Sequence, residues 1–307
     1  MQLSDSVIEA LWFADEDPAR SHEEASRSMA ASLATALGLK PFPRAAGMAA
    51  ALLADPDYNV GELERVLAAD PALVGRVIRV ANSSGAGRPV ESLHGAVVLL
   101  GARALGAAVT AAAVLGMFQD ARGVGAGVLE HSIGVSTILR VIEQHGGYRG
   151  EVSLGLVGLL HDVGKLLLIQ AREFSYPAEP GADTDHLAER TALGFDHGVL
   201  GAHAVRAWQV SDQVAQIIAW HHQDARALEQ GGDLAVSLSL LRVADRLEHE
   251  LAISRRVDRA RAESLCAEPS FAYLRYEVSD VARIVHNLGP HRTVGSRAPR
   301  RAYGWKL

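Results

Sequence analysis

An apolar run from Gly155 to Gln170 carries three ionisable side chains in its middle, His161, Asp162 and Lys165. Burying such groups is costly unless they are paired or ligate a metal. The run is long enough for four helical turns and is expected to be one buried helix. A neutral imidazole next to a carboxylate can supply two ligands to a divalent transition ion. It can equally be a hydrogen-bonded pair that serves only the core. Which of these holds depends on what the rest of the chain brings to the same place.

Helices are the expected partners of that run. Alanine and leucine dominate, only 5% of residues are aromatic, and no strand-and-turn alternation appears along the 307 residues. Asp70-Pro71 reads as a helix N-cap followed by proline at the first helical position. Ser92 caps the next helix, and Gly101 divides the segment that follows. Ser21 and Glu24 have capping-box spacing ahead of a helix that Gly38 closes. The stretch Leu93 to Phe118 is strongly apolar, but Arg103 and two glycines interrupt it. Its uninterrupted part, Ala104 to Phe118, is too short to span a bilayer and reads as a buried helix. Pro41 and Pro43 bound the start of a compact helical module, and the glycine-rich stretch 119–127 is its natural end. The expected architecture is all-α, with an N-terminal helical module packed on a second helical bundle.

Nine of the thirteen histidines lie between His131 and His249, which directs attention to the second bundle. The polar residues that interrupt its apolar helices are His131, His161, Asp162, His197, His221 and Asp245. All but the adjacent pair sit on different expected helices, and facing helices can bring such side chains to one point. This donor set suits manganese, iron, zinc or nickel, as one ion or two. A metal with open positions can activate water against a phosphate ester. Lys165, one turn after His161, can neutralise a phosphate or pair with Asp162. On a regular helix only one of His221 and His222 is expected to face the common point. His145, His186 and His249 read as surface residues and His203 as structural.

Charge and cysteine usage narrow the setting. The net charge of −6 carries no basic footprint for nucleic acid. The five basic residues between Arg292 and Lys306 read as a solvated terminus. The single cysteine, Cys266, cannot form an internal disulfide, and no secretory signal opens the chain. A cytoplasmic protein without membrane association is expected.

These residues carry a resemblance. His131, His161-Asp162 and Asp245 resemble the metal signature of HD-domain phosphohydrolases, and His197 with His221-His222 resembles the further positions of HD-GYP phosphodiesterases. The Gly-Tyr-Pro segment of the latter is missing, because Gln223-Asp224-Ala225-Arg226 follows the double histidine. Asp70-Pro71-Ala72-Leu73, Arg79-Val80-Ala81-Asn82-Ser83, Ser92-Leu93-His94-Gly95-Ala96 and Leu99-Leu100-Gly101 look like the HDOD domain (HD-related output domain). Phe195-Asp196-His197-Gly198-Val199-Leu200-Gly201 with Trp208 fits it as well. The resemblance implies an extension over 1–38 and an HDOD domain over 39–251, comprising a helical subdomain at 39–118 and an HD-like subdomain at 127–251. A helical tail over 252–307 follows. It also implies a bacterial signalling protein that binds a protein partner, with a nucleotide or cyclic dinucleotide as a further ligand. The alternative is a metal-dependent phosphohydrolase acting on such a nucleotide. In that reading His131, His161, Asp162 and Asp245 hold one metal, Asp162 bridges to a second on His197 and His221, and Asp162 and Lys165 are the catalytic residues. A third reading keeps the ligands as a sensor without turnover.

Overall fold

The computed structural model describes residues 22–288, apart from 40, 54, 56, 84–90, 147, 149, 151, 178–184, 223–227, 230 and 255. The expectations for the Ser21 cap and for the basic tail lie outside the described residues. Among the described residues there are fifteen helices and no strand, so the all-α expectation holds.

Five helices precede the histidine-rich region: α1 (His22–Leu39), α2 (Arg44–Leu53), α3 (Val60–Ala68), α4 (Pro71–Ser83) and α5 (Leu93–Met117). Their starts are written in local chemistry. Asp70 Oδ1 accepts a hydrogen bond from the Leu73 N–H at 2.9 Å, and Ser92 Oγ accepts one from the Gly95 N–H at 3.0 Å. Gly101 sits at φ +69° inside α5 and bends it, a conformation that a residue with a Cβ adopts only at a cost. Leu63, Leu67, Leu73, Val77, Leu105 and Val109 are fully buried and form the core of this module.

The second core is larger. It is built by α6 (Val124–His145), α7 (Leu154–Leu160), α8 (Val163–Ala171), α9 (Asp185–Leu193), α10 (His197–Ala207), α11 (Asp212–Trp220) and α12 (Gly232–Ser254). The closing helices α13 (Arg259–Cys266), α14 (Pro269–Tyr273) and α15 (Val278–Asn287) send Leu265, Phe271, Val281 and Ile284 into it. Met29 of α1 packs into this second core and not into the first. Two features join the cores. Val114, Met117 and Phe118 at the end of α5 belong to the second, and Phe42 stacks on Trp208 with ring centroids 5.1 Å apart.

The run 155–170 differs from its expectation. It is two short helices, with His161 as the C-cap of α7 and Asp162 as the N-cap of α8 at φ −100° and ψ 12°. The break turns the two polar side chains out of the helical ladder and towards α10 and α11. Among the described residues the stretch 154–171 is long and apolar enough to cross a bilayer, and 83% of it is buried inside the molecule.

Candidate metal centre

Two close approaches set the position of His161 and Asp162. Glu143 of α6 receives the free N–H groups of Leu154 (2.6 Å) and Gly155 (3.3 Å) at the start of α7. Gly158 then lets α7 lie against α6, because a Cβ there would be 2.8 Å from the backbone nitrogen of Ser136. Gly164 does the same for α8 and α10, where a Cβ would collide with the carbonyl of His197. The backbone of His197 is thereby brought beside the turn that carries Asp162.

The structure brings all six sequence-selected residues into one continuous cluster. Asp162 Oδ1 lies 3.1 Å from His197 Nε2 and 3.8 Å from His221 Nε2, and Asp162 Oδ2 lies 3.6 Å from His161 Nε2. The rings of His131 and His161 are 5.3 Å apart, and those of His161 and His221 are 5.5 Å apart. His131 Nε2 is 3.1 Å from Asp245 Oδ1. His161, Asp162, His197, His221 and Asp245 are all buried.

Side chains outside the expected set join them. His222 Nε2 is 2.9 Å from His197 Nε2, and His221 Nε2 is 3.2 Å from it. Both members of the double histidine therefore face one point, because α11 ends at Trp220 and the chain is no longer a regular helix there. The His186 ring stacks on His222 at 4.2 Å, and His249 is half-buried against Asp245, so neither is a free surface residue. Glu189 is fully buried. It accepts from the His197 N–H (2.6 Å), from His197 Nδ1 (2.7 Å) and from the Tyr176 hydroxyl (2.6 Å). Its signal in the sequence was one carboxylate in an otherwise ordinary helix, which nothing distinguishes from a solvated residue. Lys165 Nζ donates to Asp162 Oδ2 at 3.1 Å and stands 3.8 Å from Asp185 Oδ2.

The electrostatics are those of a dense buried set. Burial opposes charge on Asp162, but Lys165, His161 and His197 outweigh it and hold the carboxyl well below its usual range. Burial and the neighbouring His197 and His161 push His221 well below the ordinary imidazole value. His222 is driven the same way by burial and by His221. Burial also opposes charge on His197 and His131. Glu189 nevertheless raises His197 to about 9, and Asp245 with Glu248 raises His131 to about 10.

The residues fit a divalent metal. Three imidazole nitrogens converge beside a carboxylate. His161 Nε2 and Asp162 Oδ1, both buried, lack a hydrogen-bond partner of good geometry. The Glu189–His197 pair is the carboxylate–histidine arrangement that fixes an imidazole for ligation through its other nitrogen. His197, His221 and His222 would hold an ion beside Asp162, and His131 shares donor groups with His161 and Asp162 and with Asp245 and His249 next to it.

Comparison with known proteins agrees with this architecture. The HDOD domain profile matches residues 39–224. A candidate phosphohydrolase from Shewanella amazonensis SB2B superposes with a TM-score of 0.65 at 24% identity, covering 85% of this chain and 95% of its own. An HDOD domain protein of unknown function from Geobacter sulfurreducens gives 0.56 at 23% identity, covering 84% and 93%. A candidate signal-transduction protein from Marinobacter aquaeolei VT8 gives 0.54 at 19% identity, covering 90% and 67%. At these identities the likeness is one of fold. No curated protein matches the chain.

Proposed function

This chain belongs to the HDOD family, and on that footing we propose that it is a bacterial, cytoplasmic regulatory protein that acts by binding a signalling partner. Its histidine–aspartate centre holds a divalent metal or a nucleotide without turning substrate over. The observation that carries this reading is the state of Lys165. Its ammonium is buried against Asp162, with Asp185 behind it. Breaking a buried pair of this kind costs about 3–5 kcal/mol. A lysine so committed is poorly placed to meet an incoming phosphate. It serves instead to neutralise a carboxylate in the core.

The outer surface supports the partner half of the proposal. Of the six large apolar side chains exposed among the described residues, Met48, Val60, Val98 and Leu99 lie in the N-terminal module. Val98 is 71% exposed. Val98 and Leu99 are neighbours in the chain, and another protein could cover them.

A metal in the centre would supply Lewis-acid activation of water or a phosphate oxygen. The second reading, a phosphohydrolase acting on a nucleotide or cyclic dinucleotide, is favoured by one observation: every donor position expected of such a site is filled, and the side chains meet. In that reading Asp162 positions the attacking water and Lys165 swings from Asp162 to the phosphate.

Two measurements test the proposal. Purified protein supplied with manganese is incubated with cyclic dinucleotides, linear dinucleotides and nucleoside phosphates. No turnover is expected, and turnover that disappears in His161→Ala establishes the phosphohydrolase instead. Affinity capture from the source organism's lysate is expected to recover a partner that a Val98→Asp, Leu99→Asp double variant loses. Equal recovery by both proteins refutes partner binding through the N-terminal module.

A further inference from the structure

The donors of the centre lie between His131 and His249, yet a helix far ahead of them in the chain packs on the elements that hold them. α1 packs against α8, α9 and α10. Asp162 caps α8, Glu189 stands on α9, and His197 opens α10. The inner face of α1 is the row Ala25, Met29, Ser32 and Ala36, all buried, with Leu33 partly buried beside it. The Ser28 hydroxyl donates to the Leu193 carbonyl at 3.1 Å. Leu193 ends α9, and Gly194, at φ +86°, begins the turn that leads to His197.

This contact is light for its length. Alanine and serine make up most of the inner face, and such side chains have little apolar area to remove from water. Met29 is the one large side chain fully buried on it among the described residues. An element with few large apolar contacts opens at a lower free energy than the core it covers. The helices beneath are closely fitted, since Gly164 of α8 lies against the His197 carbonyl with no room for a Cβ. A shift of α8 against α10 therefore moves Asp162 and His197 relative to each other.

The other end of α1 reaches the N-terminal module. Leu39 leads through Phe42 into α2, and Phe42 stacks on Trp208, the C-cap of α10. α10 thus meets the centre at its first residue and the segment that follows α1 at its last turn.

We propose that α1 is a releasable strap on the centre. Docked, it holds α8, α9 and α10 where Asp162, Glu189 and His197 meet. Lifted, it lets these helices part and weakens the centre's hold on its ligand. Because α1 is continuous with the N-terminal module, a partner that pulls on that module acts on the centre through it. The inference rests on the regulatory reading of the chain and supplies the control of its site.

Hydrogen exchange followed by mass spectrometry tests the strap on the full chain. Two variants lift α1 in different ways: Met29→Asp with Ala36→Asp charges the inner face, and Ser32→Pro breaks the helix. Ala31→Glu, on the exposed face, is the control. In both lifted forms α1 loses its protection, and peptides containing Asp162, Glu189 and His197 are expected to exchange about tenfold faster. The core of the N-terminal module and α12 keep wild-type rates, and Ala31→Glu matches wild type throughout. Cobalt(II) affinity is expected to fall about tenfold in both lifted forms, and cobalt to slow exchange of α1 in wild type by a similar factor. Centre peptides at wild-type rates beside a lifted α1 overturn the proposal, as does unchanged cobalt affinity in both lifted forms. So does an α1 that stays protected in both variants. Faster exchange spread evenly over both cores overturns it too, because α1 is then one part of a single cooperative fold. A wild type that binds no cobalt removes the metal reading alone, and the exchange rates still decide the strap.

Discussion

Glu189 shows how much of the centre depends on one side chain that ligates nothing. Its two carboxylate oxygens receive three donors: the His197 backbone N–H, the His197 ring and the Tyr176 hydroxyl. Glu189→Gln keeps the volume but leaves one acceptor oxygen and adds an NH2 group that faces donors. The variant is expected to unfold at lower urea, losing about 1–3 kcal/mol. It is also expected to bind cobalt about 10–100-fold more weakly at the histidine–aspartate centre, read by titration, because His197 no longer holds its tautomer. Unchanged affinity would show that the carboxylate serves the core alone. At this scale the sequence was legible only in part. His161-Asp162 was visible because two ionisable residues interrupted an apolar run. Glu189 and His249 were not, because each is a polar residue in a polar setting, and burial arises only when α9 and α12 close on the centre; His222 was visible in the double histidine, but its direction was not.

Helix ends were the most readable elements, since a cap is a local bargain between one side chain and the three residues that follow. Asp70, Pro71 and Ser92 act where their spacing places them. Asp70→Ala is expected to cost about 1 kcal/mol of stability, measured by chemical denaturation, while metal binding in the other core stays as it was. The element that departed from its pattern was the apolar run itself. Periodicity predicts an unbroken helix there, and the structure divides it at Asp162. The competing influence is tertiary. In an unbroken helix His161 and Asp162 would point in directions about 100° apart. The turn lets both reach the point where His197 and His221 arrive. Gly164 makes this approach available, and a larger residue would hold α8 away from α10.

Across the molecule, two hydrophobic cores are joined by the end of α5 and by Phe42 on Trp208. Phe42 packs partly against both cores, so its ring is a mechanical link between the N-terminal module and the bundle that carries the centre. Phe42→Ala is expected to lower the unfolding free energy by about 2 kcal/mol, followed by tryptophan fluorescence in urea. It is also expected to weaken partner capture by the N-terminal module if that module's orientation on the bundle matters. A variant with wild-type stability would mean that α5 alone couples the cores. The helices after α12 pack into the bundle core through Leu265, Phe271 and Val281, and α1 does so through Met29. Contacts between segments so far apart in the chain leave no mark in local periodicity.

The sequence by itself determined that the chain is helical, where many of its helices begin, and which six side chains most needed a reason to be buried. These properties follow from short-range rules: spacing of apolar residues, caps, and the cost of an ionisable group in an apolar run. The tertiary structure alone decided which donors meet, and it paired His197 with Glu189 and His131 with Glu248. It also decided the burial of Lys165 against Asp162. Those outcomes depend on directions and distances between side chains on separate helices, and these are set only when the helices pack.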